Sequence, residues 1–415
     1  MPLKRLVGIV MLSLALFVGV TQAQDGGDAG VFTIGDIVYT SNYPEGMTFS
    51  IEAASSAGPI TRATVFYDFG SPITGRVQAD EFDSENGVIR ATLHRYEADN
   101  GLIPWLTVNY TWRLIDAAGN VYESEPQYAI YADHTRDWMH VENDLVRIYW
   151  FGLPDWVGEQ ALDAVDDARE RWAQGFPGVE LASRPLVVIY PDLDSFLEWR
   201  GEAGRDSIRF VGTLGRQWNG TVQRVPDQAR LDRECGGLNL EEDFDYIVRS
   251  LARSTVTHEL THFHQYAMHV DRGPTWWIEG EATFFEDPVQ PWDSEARVRG
   301  LAAMDALPSL RGDASGAGTL GPDGCTHVAY DIGASFMRFL RDNYGGYEGH
   351  GQITTLIAQN VGVYEAIETV TGRPFDELEA EWRASVGAGP APTPVPTPTP
   401  LILNFPTPAF NPPGG

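Results

Sequence analysis

The sequence predicts a multidomain chain in which an N-terminal antiparallel β-sandwich precedes an α+β domain. Three observations carry that prediction. Between residues 30 and 134, short runs alternate apolar and polar side chains and are broken by turn residues, with no convincing helix. Over residues 140–386 the apolar spacing lengthens to the helical period, with strands first and helices concentrated late. The length of 415 residues suits two or three domains, and a hydrophobic content of 43% is that of a folded chain, so wholesale disorder, collagen and coiled coil are excluded.

At the N-terminus, Lys4 and Arg5 precede an apolar run over 6–20, and Thr21 and Ala23 supply small residues at the outer and inner positions of a signal-peptidase site. Residues 1–23 are therefore read as a signal peptide that is removed. The competing reading is an uncleaved anchor, for which the run is short. The expectation is a secreted, extracellular protein with no stable membrane insertion after signal cleavage. With 29 basic and 58 acidic residues the formal charge is −29, a surface that repels nucleic-acid phosphates and acidic membranes. Nucleic acid is excluded as a partner on that ground.

The sandwich strands are read at 47–52 (MTFSIE), 61–67 (TRATVFY), 87–93 (GVIRATL) and 107–114 (TVNYTWRL), followed by a turn at 116–120 (DAAGN). The pattern around Trp112, Asp116 and Gly119 resembles fibronectin-type or immunoglobulin-like modules. Nothing in this stretch looks catalytic. Its expected role is a spacer or a docking surface for a cell-surface or extracellular partner.

In the second domain, a strand at 145–151 leads into an amphipathic helix over about 155–174, with Val157, Ala161, Ala164, Val165, Ala168 and Trp172 at helical spacing. A strand at 185–190 and a helix near 193–199 follow. The stretch 220–225 (GTVQRV) is read as an edge strand along which an extended peptide could pair, a buried strand being the other reading. Residues 387–415 are rich in Pro and Thr and cannot build a core; they are read as a disordered tail. Two cysteines, Cys235 and Cys325, could close a loop of about 90 residues, worth roughly 4 kcal/mol on the chain-entropy model; two separate buried thiols are the alternative.

The chemistry is concentrated in 257–263 (THELTHF), within a helical run over about 244–266. Residues four apart share a helix face, so His258 and His262 can turn their imidazoles to one ion, while Glu259 can reach a water there without binding the ion itself. A hydrolytic zinc site needs a third protein ligand and one open position. Glu279 stands seventeen residues beyond His262, inside 274–282 (PTWWIEGEA), where Pro274 marks a helix start.

This pair of motifs resembles the gluzincins, zinc metallopeptidases of the peptidase MA clan, in which a W-x-x-E-G-x-A motif supplies a glutamate ligand. The resemblance implies a zincin-like catalytic domain over 140–386 that binds Zn2+ through His258, His262 and Glu279, with Glu259 as general base. It favours Glu279 over Glu281, which points about 200° away on the same helix. Glu281 is left as either a solvated residue or an outer partner of the site; Glu286 and Asp287 are read as a solvated helix face. Gly280 and Ala282 are small enough to let the two metal-bearing helices approach. The run 327–340 is read as a helix, and its Tyr330, with Gly333 and Phe336, is similar to a Y-x-x-G-x-x-F helix in peptidase MA-like proteins. Tyr330 is thus the candidate donor to an oxyanion, with His327 as the alternative donor and core packing as the competing reading. His264 and His269 are read as bystanders.

The function these readings imply is an exported zinc metallopeptidase, an endopeptidase acting on protein or peptide substrates. Motifs that fix a substrate's N-terminal amine are lacking, which leaves exopeptidase action unsupported. Two other readings stand beside it. One is a surface-binding sandwich protein with a silent zinc domain, against which the intact Glu259 argues. The other is a zinc hydrolase of non-peptide amides or esters.

Overall fold

The structure, a computed structural model, describes residues 30–71, 73–95, 102–199, 212–215, 219–233, 236–286, 293–311 and 318–391. The expected signal peptide, the tail from 392 onward, Cys235 and Asp287 lie outside these residues. Antiparallel β-sheets come first and a helical region follows. The described residues divide into two compact units, one of those up to 162 and from 182 to 227, the other of 163–181 and those from 228 onward.

In the first unit the strands in chain order are β1 (Phe32–Asn42), β2 (Gly46–Ser55), β3 (Ile60–Asp68), β4 (Thr74–Gln78), β5 (Glu81–Asp83), β6 (Val88–His94), β7 (Leu106–Asp116), β8 (Val121–Glu123) and β9 (Gln127–Tyr131). One antiparallel sheet runs β1-β2-β6-β5. A second runs β4-β3-β7-β8, with β9 also paired to β7. Alternation explains how both contribute to one core. Along β7, Leu106, Val108, Tyr110, Trp112 and Leu114 are buried at every second position, and Phe49 and Ile51 of β2 and Val65 of β3 join them. The phenol of Tyr110 packs 4.9 Å from the Phe49 ring.

A third sheet adds β10 (Met139–Glu142), β11 (Arg147–Trp150), β12 (Leu186–Tyr190), β13 (Gly212–Gly215) and β14 (Gly220–Arg224) in the order β10-β11-β12-β14-β13. The helices α1 (Trp156–Gly175) and α2 (Leu193–Glu198) occupy the connections around β12. Leu186, Val188, Tyr190 and Val222 extend the same core. The edge-strand expectation for 220–225 is corrected here. β14 is parallel to β12 on one side and antiparallel to β13 on the other, so its backbone groups are taken on both sides, and all five of its residues are buried.

The second unit continues from the later part of α1 with α3 (Gln228–Arg233), α4 (Phe244–Ser250), α5 (Val256–Met268), α6 (Thr275–Phe285), α7 (Ser294–Ala303), α8 (Gly333–Asn343), α9 (Gly346–Ala358), α10 (Val363–Thr371) and α11 (Phe375–Ser385). Two π-helical turns interrupt the α-helical winding, Leu251–Thr255 ahead of α5 and Val328–Ile332 ahead of α8. α5 ends where His269 takes the left-handed conformation at φ 61°. α6 starts after Pro274, whose extended backbone and missing N–H suit a helix entrance. Cys325 is held in a disulfide, and the chain's other cysteine is Cys235. Among the described residues no helix is long and apolar enough to cross a membrane.

Gly280 does a different job from the one expected of it. A Cβ at Gly280 would lie 2.5 Å from Cα of Gly333, and one at Gly333 would lie 2.0 Å from the carbonyl oxygen of Trp276. The close approach is therefore between α6 and the start of α8, the helix that follows Tyr330. Two opposing effects meet at Gly280→Ala. Alanine favours the helix by up to about 1 kcal/mol, but the clash is with backbone atoms that cannot rotate away, and overpacking of this kind costs about 1–3 kcal/mol. Net destabilisation is expected in urea unfolding. Gly300→Ala on α7, where a Cβ meets nothing within 4 Å, is expected to be neutral or stabilising; equal effects at the two positions would contradict the packing described.

Candidate metal centre

α5 and α6 build the centre. His258, Glu259 and His262 lie on α5 and are all buried, at 8%, 9% and 8% exposure. Glu279 comes from α6 and is partly buried. Its Oε2 lies 3.6 Å from Nε2 of His258 and 3.5 Å from Nε2 of His262. One donor atom from each of the three residues falls within 4.8 Å of the others, the arrangement of a possible metal site. The spacing fits zinc. Bonds of ~2.0–2.2 Å in a tetrahedron hold their donors ~3.3–3.6 Å apart, and two imidazoles with one carboxylate are a common zinc donor set.

The far side of each imidazole is also engaged. Nδ1 of His258 meets Oε1 of Glu286 at 2.7 Å, and the Ser254 hydroxyl donates to the other oxygen of that carboxylate. Ser254 belongs to the π-helical turn before α5. Nδ1 of His262 meets Oε1 of Gln265 at 2.7 Å. Such outer contacts fix ring orientation and tautomer.

The solvated-face reading of Glu286 is thereby corrected. Glu286 lies seven residues, almost two full turns, beyond Glu279, so it falls close to the same side of the helix axis and faces α5. The choice left open for Glu281 is also settled, because its side chain is fully buried and its Oε2 accepts a hydrogen bond from Nε2 of Gln265.

Electrostatics follow from this crowding. Burial opposes ionisation of Glu279, yet the imidazoles of His258 and His262 facing it hold its carboxyl far below the usual range. For His258, burial works against the cation, but Glu279 and Glu286 outweigh it and hold the pKa up at about 10. Burial raises Glu259, partly countered by the two imidazoles.

Tyr330, in the π-helical turn before α8, lays its ring over His258 at a centroid distance of 5.7 Å and an angle of 22°. Burial and the nearby carboxylates of Glu279 and Glu259 raise its pKa far above 10, so the phenol keeps its proton. The His327 ring is 5.9 Å from that of Tyr330. Glu259 and Tyr330 are thus both within the same cluster as the three donors. His264 is turned away; its ring stacks on Trp172 at 4.7 Å and Nδ1–H donates to the Leu260 carbonyl. His269 is exposed at the end of α5.

The sequence reading missed Ser254, Gln265, Glu286 and His350, whose Nε2 meets Oε1 of Glu281 at 2.6 Å. Three of these carried a local signal: Ser254 stands four residues before His258, Gln265 three after His262, and Glu286 seven after Glu279, spacings that share a helix face. His350 carried none.

No family model matches the chain, and no curated protein matches it. Among solved structures it is similar to native yeast LTA4 hydrolase, at 9% identity over 85% of this chain and 66% of that one, with a TM-score of 0.26. A second structure, of native leukotriene A4 hydrolase from Saccharomyces cerevisiae, matches at 9% identity over 88% and 69%, again with a TM-score of 0.26. A polysaccharide deacetylase from Bacillus cereus matches at 12% identity over 38% of this chain and 51% of that one, with a TM-score of 0.19. The chain thus spans about half the deacetylase and just under two thirds of the first hydrolase structure. Likenesses this distant carry no argument about activity.

His264 gives a pH dependence of stability. Burial depresses its pKa from 6.5 to about 4, so the unfolded chain binds its proton more readily than the folded one. The stability it contributes is complete above pH 6.5 and is lost as pH falls toward 4. The loss is about 1–3 kcal/mol, toward the lower end because part of the residue reaches water. Urea midpoints between pH 7 and 4.5 are expected to fall less in His264→Phe than in the parent; parallel curves would contradict this.

Proposed function

We propose that the chain is an exported zinc-dependent metallopeptidase that cleaves peptide bonds internally. The observation that carries the reading is the convergence of His258, His262 and Glu279 at 3.5–3.6 Å, with Glu259 beside them. The gluzincin resemblance of HELTH and PTWWIEGEA supports the same assignment. Zinc, when bound, supplies Lewis acidity, which polarises a carbonyl and acidifies water.

The chain's own residues do the rest. Glu259, one position from His258 and turned to a different side of α5, takes a proton from the attacking water and passes it to the leaving amine. Its carboxyl is buried and its pKa raised, which makes it a better proton acceptor than an ordinary carboxylate. Tyr330 stays protonated beside His258 and donates a hydrogen bond to the oxyanion that forms on the substrate carbonyl. His258 is oriented by Glu286, and the buried surroundings of α5 keep bulk water from competing. The zincin-like fold of residues 140–386, export by way of the 1–23 signal peptide, and a fibronectin- or immunoglobulin-like sandwich docking on a cell-surface or extracellular partner belong to the same proposal.

Glu259→Gln tests the mechanism. Purified with its zinc intact, it is expected to lose 10²–10⁴-fold in peptide turnover; full turnover with full zinc content would sink the reading. Cleavage of a peptide library, profiled by mass spectrometry, is expected to vanish with a chelator and return with zinc. No cleavage of any peptide would point to another substrate class. Tyr330→Phe is expected to lower kcat by 10²–10³ with little change in KM, and an unchanged kcat would return Tyr330 to a packing role.

A further inference from the structure

A buried polar chain runs from the proposed centre to a helix that takes no part in it. Glu281 follows Glu279 by two residues on α6 and is 0% exposed. Its Oε1 is met at 2.6 Å by Nε2 of His350 on α9, and its Oε2 accepts Nε2–H of Gln265 at 2.7 Å. Oε1 of Gln265 lies 2.7 Å from Nδ1 of His262. Four side chains from three helices are joined end to end.

The chemistry of the groups fixes the direction of each bond. The nitrogen end of Gln265 faces two acceptors, the Glu281 carboxylate and the Ile278 carbonyl at 2.9 Å. A flipped amide would turn its oxygen onto both. With the nitrogen held there, only Oε1 is left for His262, and a carbonyl oxygen only accepts. Nδ1 of His262 must therefore carry a hydrogen. A neutral imidazole protonated at Nδ1 has its lone pair at Nε2, the atom that faces Glu279. The ring of His350 is itself fixed, stacked on Trp277 at 5.5 Å and 10° and flanked by Phe284 and Phe285.

We infer that Glu281 is a positioning residue which, acting through Gln265 and held by His350, sets His262 in the tautomer that can ligate a metal. The inference rests on the proposed zinc ligands and deepens that reading, since neither Glu281 nor His350 touches the metal position. His258 is set separately, because Glu286 reaches it directly.

The experiment is a zinc dissociation constant measured by competition with a chromophoric chelator, with circular dichroism as the check on folding. Glu281→Gln is expected to weaken zinc binding 10–100-fold, and Gln265→Met by a similar factor. Because Glu281 acts only through Gln265, the double variant is expected to bind no more weakly than Gln265→Met alone. A zinc affinity unchanged in Glu281→Gln, or additive losses in the double variant, overturns the inference while leaving the zinc site standing. A parent protein that binds no zinc removes both. Should Glu281→Gln fail to fold, His350→Gln replaces it. That variant loosens the hold on Glu281 while leaving Gln265 in place and is expected to weaken zinc binding severalfold; an affinity equal to the parent's overturns the inference.

Discussion

The crossing of α5 and α6 is the constraint on which the site depends. Two imidazoles spaced one turn apart on α5 fix two corners of a tetrahedron, and the third corner exists only while α6 holds the Glu279 carboxylate 3.5–3.6 Å from both. Zinc tolerates little departure from such spacing. Much of what surrounds the two helices is therefore intelligible as restraint. Trp172 donates to the Thr261 hydroxyl and ties α1 to α5, Gln265 bonds the backbone of α6 at Ile278, and Gly280 lets α8 lie directly on α6.

Restraint also divides the charges. The centre gathers Glu259, Glu279, Glu281 and Glu286 within a few turns of two helices, which in water would be a repulsive cluster. Each acidic group has a separate answer: His258 and His262 face Glu279, Ser254 and His258 face Glu286, and Gln265 and His350 face Glu281. Burial raises the pKa of Glu259, countered only in part by the two imidazoles. A group left poised in this way, among neighbours that are satisfied, is the kind of side chain that exchanges protons.

The parts of this picture that depend on short-range periodicity could be read from the sequence. His258 and His262 share a face because they are four apart, and β7 shows its buried side because apolar residues fall at every second position. Antiparallel strands followed by helices were legible for the same reason. What could not be read is which surface each face meets. The stretch 220–225 is visibly a strand, but its enclosure by β12 and β13 is a matter of long-range pairing. Glu286 is visibly on the side of Glu279, but nothing nearby in sequence says that this side meets α5 rather than solvent. His350, 69 residues from Glu281, is beyond any local pattern, and Gly280 declares itself small without declaring that Gly333 is its neighbour.

The π-helical turn at Leu251–Thr255 carries one residue more than α-helical winding needs. Excising a single residue there would let α4 run unbroken into α5, and the helix would survive. The phase would not: everything before HELTH would turn by about 100° about the axis, taking the Ser254 hydroxyl off Glu286. The surplus residue thus works as a shim that sets the angular phase of one helical half against the other, and the second such turn, Val328–Ile332, holds Tyr330 over His258 on the same terms.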